Sequence, residues 1–131
     1  MLHVTAYHTT GADETLAPLV ILHGMFGAGD NWVTIAKELG RERRVYTIDL
    51  PGHGESDFDQ GERPFHYRNL ETVVAHTLEN ALQGTPVVLC GHSMGGTVAM
   101  AVALVHPGFV ERWIVVDTAP RSYLGDGFNS E

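Results

Sequence analysis

The stretch P-V-V-L-C-G-H-S-M-G-G-T-V-A-M-A-V-A-L-V, residues 86–105, decides the fold. It begins with a continuous apolar run from Pro86 to Cys90, which is typical of a strand covered on both faces in a parallel sheet. A glycine-rich turn follows, and the segment from Met94 to His106 has the composition of a helix that Pro107 closes. The stretch therefore predicts a strand, a sharp turn with Ser93 at its tip, and a helix.

The rest of the chain repeats this alternation of strand and helix. Leu2 to Tyr7 alternates apolar and polar residues, as a half-exposed edge strand does. Short apolar runs predict three more buried strands, at Pro18–Leu22, Arg44–Ile48 and Trp113–Val116. Apolar residues at three- and four-residue spacing predict two helices. One is Asn31–Leu39, with a shared apolar face of Trp32, Ile35, Ala36 and Leu39, and the other is Tyr67–Leu82.

This order of elements predicts an α/β fold, a doubly wound, mostly parallel sheet with helices on both faces. Ligands of such sheets bind beyond the carboxyl ends of the strands. The loops after Leu22 and Cys90 are therefore the candidate positions for a functional site.

Composition narrows the classes of partner. The 131 residues predict one domain, and 16 acidic against 8 basic residues give a net charge of −8. Such a surface repels phosphates, so neither a nucleic-acid nor a membrane partner is expected. The single cysteine, Cys90, cannot form an internal disulfide, and residues 1–10 lack the pattern of a signal peptide. No apolar stretch is long enough to span a bilayer, so the prediction is a cytoplasmic protein.

The turn after Cys90 contains the pattern G-x-S-x-G at Gly91, Ser93 and Gly95. A serine at the tip of a tight strand-to-helix turn has its hydroxyl pushed outward, and side chains two positions away on either side would collide. Gly96 would let the helix pack close to the sheet. Ser93 is therefore the candidate nucleophile, and the alternative is an ordinary serine in a glycine-rich turn. A phosphate-binding loop is excluded because no lysine follows the glycines.

The loop after Leu22 reads H-G-M-F-G-A-G-D-N-W, residues 23–32. A serine that attacks a carbonyl creates an oxyanion, which two backbone N–H groups usually hold. One donor would be Met94, and the other would be Met25, with Phe26 as the second choice. Because both methionines would act through their backbones, their side chains are left free to line an apolar acyl pocket.

The same loop supports a rival function. Gly24, Gly27 and Gly29 lie between a strand and a helix, and Asp49 ends the next strand where a ribose-binding acid would lie. This outline is that of a dinucleotide-binding oxidoreductase. The spacing is G-x-x-G-x-G instead of G-x-G-x-x-G, and the rival leaves the turn around Ser93 unexplained.

Four motifs in order resemble the α/β-hydrolase superfamily, and within it the small cap-bearing serine esterases: H-G-M-F-G at 23–27, D-L-P-G-H-G-E-S at 49–56, G-H-S-M-G-G at 91–96 and V-V-D-T-A-P at 115–120. The resemblance implies Ser93 as nucleophile and the Met25 and Met94 amides as oxyanion hole. No cofactor is predicted. The resemblance also implies that Asp117 can be the triad acid, although most of the superfamily places that acid after a later strand. As the carboxylate that ends a buried strand on the active face, Asp117 could orient an imidazole. Alternatively it caps the next turn through Thr118.

None of the eight histidines lies where the family's late catalytic histidine is expected. His23 and His92 flank the two candidate loops, which they would shape through local hydrogen bonds. His92 is rejected as the base because adjacent side chains on so tight a turn point apart. No tight spacing of metal ligands is present, so no metal site is predicted.

Residues 1–131 are therefore expected to be the N-terminal part of a hydrolase core, without the cap and the C-terminal strands. A second polypeptide or a C-terminal portion would complete it. Because the run at 113–116 would leave an open apolar edge, residues 1–131 alone are expected to aggregate or oligomerise. The predicted function is hydrolysis of small-molecule carboxylic esters through an acyl-serine intermediate, with thioester, amide and carbon–carbon substrates left open. A degenerate hydrolase-like binding module is the alternative.

Overall fold

A five-stranded sheet forms the centre of the computed structural model, which describes residues 2–23, 32–50 and 67–116, with side chains from Leu70 onward in the last range. The strands are β1 (Val4–Ala6), β2 (Leu19–Leu22), β3 (Val45–Ile48), β4 (Val87–His92) and β5 (Val110–Val116). Their order is β1-β3-β2-β4-β5, with β1 antiparallel to β3 and every other pair parallel. The predicted mostly parallel sheet is confirmed.

Three α-helices connect these strands within the described residues: α1 (Val33–Leu39), α2 (Tyr67–Leu82) and α3 (Met94–Val105). A 3₁₀ turn at Pro107–Phe109 leads from α3 into β5. The bounds of α2 match the predicted segment, and α3 ends one residue before the predicted His106. The sequence of elements is therefore strand–helix–strand, as predicted.

The helices cover both faces of the sheet, also as predicted. On one face, side chains of α2 and α3 pack with alternate residues of the central strands in a core that includes Val20, Leu22 and Leu89. On the other face, Ala36 of α1 packs with the intervening strand residues Leu19 and Ile21. The alternation follows from strand geometry, since successive side chains point to opposite faces.

The apolar face predicted for α1 is only partly buried. Ala36 is fully buried, but Ile35 and Leu39 are exposed. A helix of seven residues contacts the sheet over about two turns, so the burial of one small residue is enough to pack it against the sheet. The prediction that Ile35 and Leu39 belong to the buried face is wrong for this reason.

At one end of the sheet lies β5, which begins three residues before the predicted Trp113. The prediction missed Glu111 and Arg112 because charged residues interrupt the apolar run. Both are exposed, as are Trp113 and Ile114 at 47% and 48%. Within the described residues, β5 pairs with β4 alone and presents apolar side chains to both sides.

Candidate active site

Ser93 joins the end of β4 to the start of α3 in a strained backbone conformation. Its φ is 56° and its ψ is −119°, outside the three regions that non-glycine residues favour. The other non-glycine residue with positive φ in the described ranges is Gln83, just past the end of α2, where left-handed residues are common. Ser93 has no such helix-end explanation. Strain of this kind amounts to about 1–3 kcal/mol and persists where the surrounding structure imposes it.

The surrounding structure does impose it, through glycines on either side. A Cβ on Gly91 would lie 2.2 Å from the carbonyl oxygen of Gly95 and 2.6 Å from the Cα of Gly96. A Cβ on Gly95 would lie 2.3 Å from the carbonyl oxygen of His23. These obstacles are backbone atoms, which cannot rotate away. The turn therefore closes only because both positions lack a side chain.

The start of α3 lies directly beside the Ser93 hydroxyl. Ser93 makes no side-chain capping bond to the helix, and its carbonyl accepts from the amides of Gly96 and Thr97 at 2.9 and 3.3 Å. The amide of Met94 precedes these first intrahelical bonds, in a position where helix amides lack an intrahelical acceptor. The helix N-terminus also carries partial positive charge. Negative charge that develops next to Ser93 would be stabilised there.

The side chain of Met94 is not available to line an acyl pocket, contrary to expectation. It is 2% exposed and belongs to the core cluster between the sheet and helices α2 and α3. As the first residue of α3, it faces the sheet from which the helix has just emerged. Met94 can contribute to the candidate site only through its backbone.

His23 follows β2 and connects it to the segment after β3. Its side chain is 1% exposed, and its Nε2 accepts a hydrogen bond of 2.8 Å from the backbone amide of Leu50. Because a backbone amide can only donate, Nε2 carries no proton in this arrangement. The side chain thus ties two neighbouring loops together at the carboxyl edge of the sheet.

The ring of His92 lies against Trp32, at a centroid distance of 5.9 Å and an interplanar angle of 65°. Trp32 immediately precedes α1 and packs against the core on the α1 side of the sheet. Sequence reasoning placed Trp32 on a helix stripe and missed this contact. Nothing in the local pattern signals it, since the two residues are sixty positions apart.

Val116, the last residue of β5, lies beside the turn. It is opposite His92 in the sheet, and its carbonyl accepts a hydrogen bond of 3.1 Å from the amide of Ser93. Asp117 itself lies outside the described residues, as do Met25, Phe26 and Gly24. The described part of the site therefore consists of the turn at 91–96, His23, Trp32 and the end of β5.

Cys90, three residues before Ser93, is a poor competitor as nucleophile. Burial raises the pKa of the Cys90 thiol, which lowers its thiolate fraction at neutral pH. Across residues 2–23, 32–50 and 67–116, no three potential ligands are grouped as a metal site. Over the same ranges, no helix is long and apolar enough to cross a membrane.

Comparisons with known proteins match this fold. A family model described as the alpha/beta hydrolase fold matches residues 17–127. An sn-1-specific diacylglycerol lipase of Xenopus tropicalis is 45% identical over 107 residues, which are 80% of this chain and 32% of that protein. A pimeloyl-[acyl-carrier protein] methyl ester esterase of Pseudoalteromonas atlantica is 37% identical over 123 residues, 91% of this chain and 45% of the esterase.

Among solved structures, a marine microorganism esterase superposes with a TM-score of 0.79 at 32% identity, over 98% of this chain and 47% of that one. The chain spans about a third of the length of the curated lipases that it matches. The family model covers most of the chain, and its fold is the fold described above. The chain belongs to the α/β-hydrolase family.

Proposed function

We propose that this chain is the nucleophile-bearing part of a serine esterase, which hydrolyses carboxylic esters through an acyl-serine intermediate. The observation that carries the proposal is the backbone of Ser93, held outside the favoured regions at the carboxyl edge of the sheet. Backbone strain imposed by the surroundings is concentrated at active sites. Support also comes from relatives named as a diacylglycerol lipase and a methyl ester esterase, both of which act on esters.

In the proposed reaction, the Oγ of Ser93 bonds to the ester carbonyl carbon while its proton passes to a histidine. The electron pair of the C=O bond moves to the oxygen, and the amides of Met94 and of Met25, or of Phe26, hold the resulting oxyanion. Collapse of the intermediate breaks the bond to the alcohol oxygen, which takes the proton from the histidine. Water then attacks the acyl carbon in the same way, releasing the acid and returning the proton to Ser93. One oxyanion-hole donor is worth about 10²–10³ in kcat.

Asp117 is proposed as the acid that orients this histidine. The support is the position of Val116, whose carbonyl accepts from the Ser93 amide. Val116, the last described residue before Asp117, is therefore in direct contact with the nucleophile segment. The carboxylate of Asp117 would hold the imidazole in the tautomer that can accept the serine proton.

The histidine is proposed to come from outside residues 1–131. His23 is buried and accepts from Leu50, His92 contacts Trp32, and His106 pairs with Glu71 at the far end of α3. A C-terminal portion or a second polypeptide would supply the base and cover β5, where Trp113 and Ile114 are exposed. Relatives about three times as long as the matched region agree with such a remainder.

The substrates are proposed to be small-molecule esters of small to medium carboxylic acids. The residue at the tip of the turn is a serine, which favours acyl transfer. An aspartate at this position would instead favour dehalogenase or epoxide-hydrolase chemistry. The rival of a dinucleotide-binding oxidoreductase is set aside, because the curated relatives cited above are ester hydrolases. The alternative is a binding module without catalysis, and an experiment has to distinguish it from the esterase.

The test is labelling with a fluorophosphonate probe, which reacts with activated serines. It should be done on the protein purified from its native source, with any polypeptide that accompanies it. Labelling is expected, and it should be lost in Ser93→Ala and kept in Ser130→Ala, a serine outside every motif. Absence of labelling in the full assembly would favour the binding module, and labelling that survives Ser93→Ala would refute the assignment of the nucleophile.

A further inference from the structure

His23 and Trp32 both contact the segment that carries Ser93. The carbonyl oxygen of His23 lies where the methyl group of an alanine at Gly95 would be, so the two backbones touch. The ring of Trp32 contacts the ring of His92. The turn at Ser93 is thus contacted on either side of the serine, at His92 and at Gly95.

The contact of Trp32 with His92 joins two well-anchored elements. Trp32 immediately precedes α1, whose Ala36 is fully buried, and it packs against the core on the α1 side. His92 is the last residue of β4, paired with Val116 of β5. Because both elements are held by other contacts, losing the ring of Trp32 would leave space beside His92 that neither element can close, and the side chain of His92 and the turn that follows it would gain freedom to move.

The edge-to-face geometry fixes the relative orientation of the two rings, which apolar packing alone would not do. At an interplanar angle of 65°, the two rings have the T-shaped arrangement that aromatic pairs prefer. In addition to the effect of burying apolar surface, such a pair favours the folded arrangement by about two- to tenfold in the folding equilibrium constant. A leucine in place of Trp32 would retain apolar contact and lose this orientation.

We propose that Trp32 is a positioning residue for ester hydrolysis, acting through His92 to hold the turn at Ser93 and the start of α3 in place. The inference rests on the proposed function. Oxyanion donors act at 2.7–3.1 Å from the developing charge, and a misplacement of 1 Å can lower the rate about a hundredfold. The tryptophan therefore affects the transition state more strongly than the bound substrate.

The experiment is a double-mutant cycle on the native assembly, with kcat and KM measured for a chromogenic ester. Trp32→Ala is expected to lower kcat about ten- to a hundredfold and to change KM less than about threefold. Trp32→Phe should recover most of the loss and Trp32→Leu should not, because only phenylalanine keeps a ring edge. The double variant with His92→Ala should be no slower than the slower single variant.

Each other outcome has a defined meaning. Effects of Trp32→Ala and His92→Ala that multiply, recovery by leucine equal to that by phenylalanine, or a loss confined to KM would each overturn the inference. If Trp32→Ala does not fold, as judged by its melting transition, the comparison of Trp32→Phe with Trp32→Leu decides the matter. Ser93→Ala in the same preparation keeps the two proposals apart. Unchanged hydrolysis in Ser93→Ala refutes the proposed function, whereas an essential Ser93 with a neutral Trp32→Ala refutes the inference alone.

Discussion

Replacing Gly95 with alanine would place a methyl group against the backbone of the neighbouring strand. The new Cβ would lie 2.3 Å from the carbonyl oxygen of His23 and 2.4 Å from that of Leu22. Real Cβ contacts essentially never fall below 3.0 Å, so α3 and β2 would have to separate by at least 0.7 Å, the difference between 3.0 and 2.3. Overpacking typically costs about 1–3 kcal/mol. Because the obstacles are backbone atoms, we expect Gly95→Ala to lower the free energy of unfolding by about 3 kcal/mol, the upper end of this range.

The assay is urea denaturation of the purified native assembly, followed by tryptophan fluorescence and evaluated as the free energy of unfolding. Gly108→Ala is the matched control, since a Cβ there would meet nothing within 4 Å. The control should lie within about 0.5 kcal/mol of wild type. Equal stability of the Gly95→Ala and Gly108→Ala proteins would refute the close approach of α3 to β2 on which the description of the turn depends.

Three further predictions concern other residues of the fold. His23→Ala should lower the free energy of unfolding by about 1–3 kcal/mol in urea denaturation, because the buried amide of Leu50 loses its acceptor; an unchanged midpoint would contradict that hydrogen bond. The thiol of Cys90 should react with iodoacetamide more slowly at neutral pH than a model thiol, and the reaction should become faster at higher pH. The reason is that burial raises the pKa of the Cys90 thiol. A rate equal to that of the model thiol would count against the raised pKa. Residues 1–131 expressed alone should self-associate through β5. Ile114→Lys should reduce the association seen in sedimentation velocity, because a charge on an apolar edge opposes pairing. Equal association of the wild-type and Ile114→Lys chains would exclude β5 as the contact.

The sheet and its helices follow from local patterns in the sequence. The runs at β2, β3 and β4 are apolar without interruption because both faces are covered, and the spacing in α2 matches its buried face. The glycines at 91 and 95 indicate a tight turn because no other residue fits the space. Each of these features leaves a local pattern of residue types that a sequence displays directly, even where the contacts behind it are distant, as between Gly95 and His23.

Other features depend on tertiary contacts that no local pattern records. The start of β5 was missed because an edge strand accepts charged residues such as Glu111. The exposure of Ile35 reflects how little of α1 the sheet covers, and the burial of Met94 reflects the direction in which α3 leaves the turn. The contact between Trp32, which precedes α1, and His92, which ends β4, joins two positions that only the strand order brings together. The roles of Ser93, Met25 and Asp117 stay predictions.

Acylation of Ser93 by the substrate can be observed by trapping the intermediate. The native assembly is mixed with p-nitrophenyl acetate, quenched in acid within the first turnover, digested and analysed by tandem mass spectrometry. An acetyl group is expected on Ser93 and should be absent from the Ser93→Ala protein. Hydrolysis that proceeds with no acetyl group on Ser93, or with the acetyl group on another residue, would contradict the assignment of Ser93 as the acylated residue.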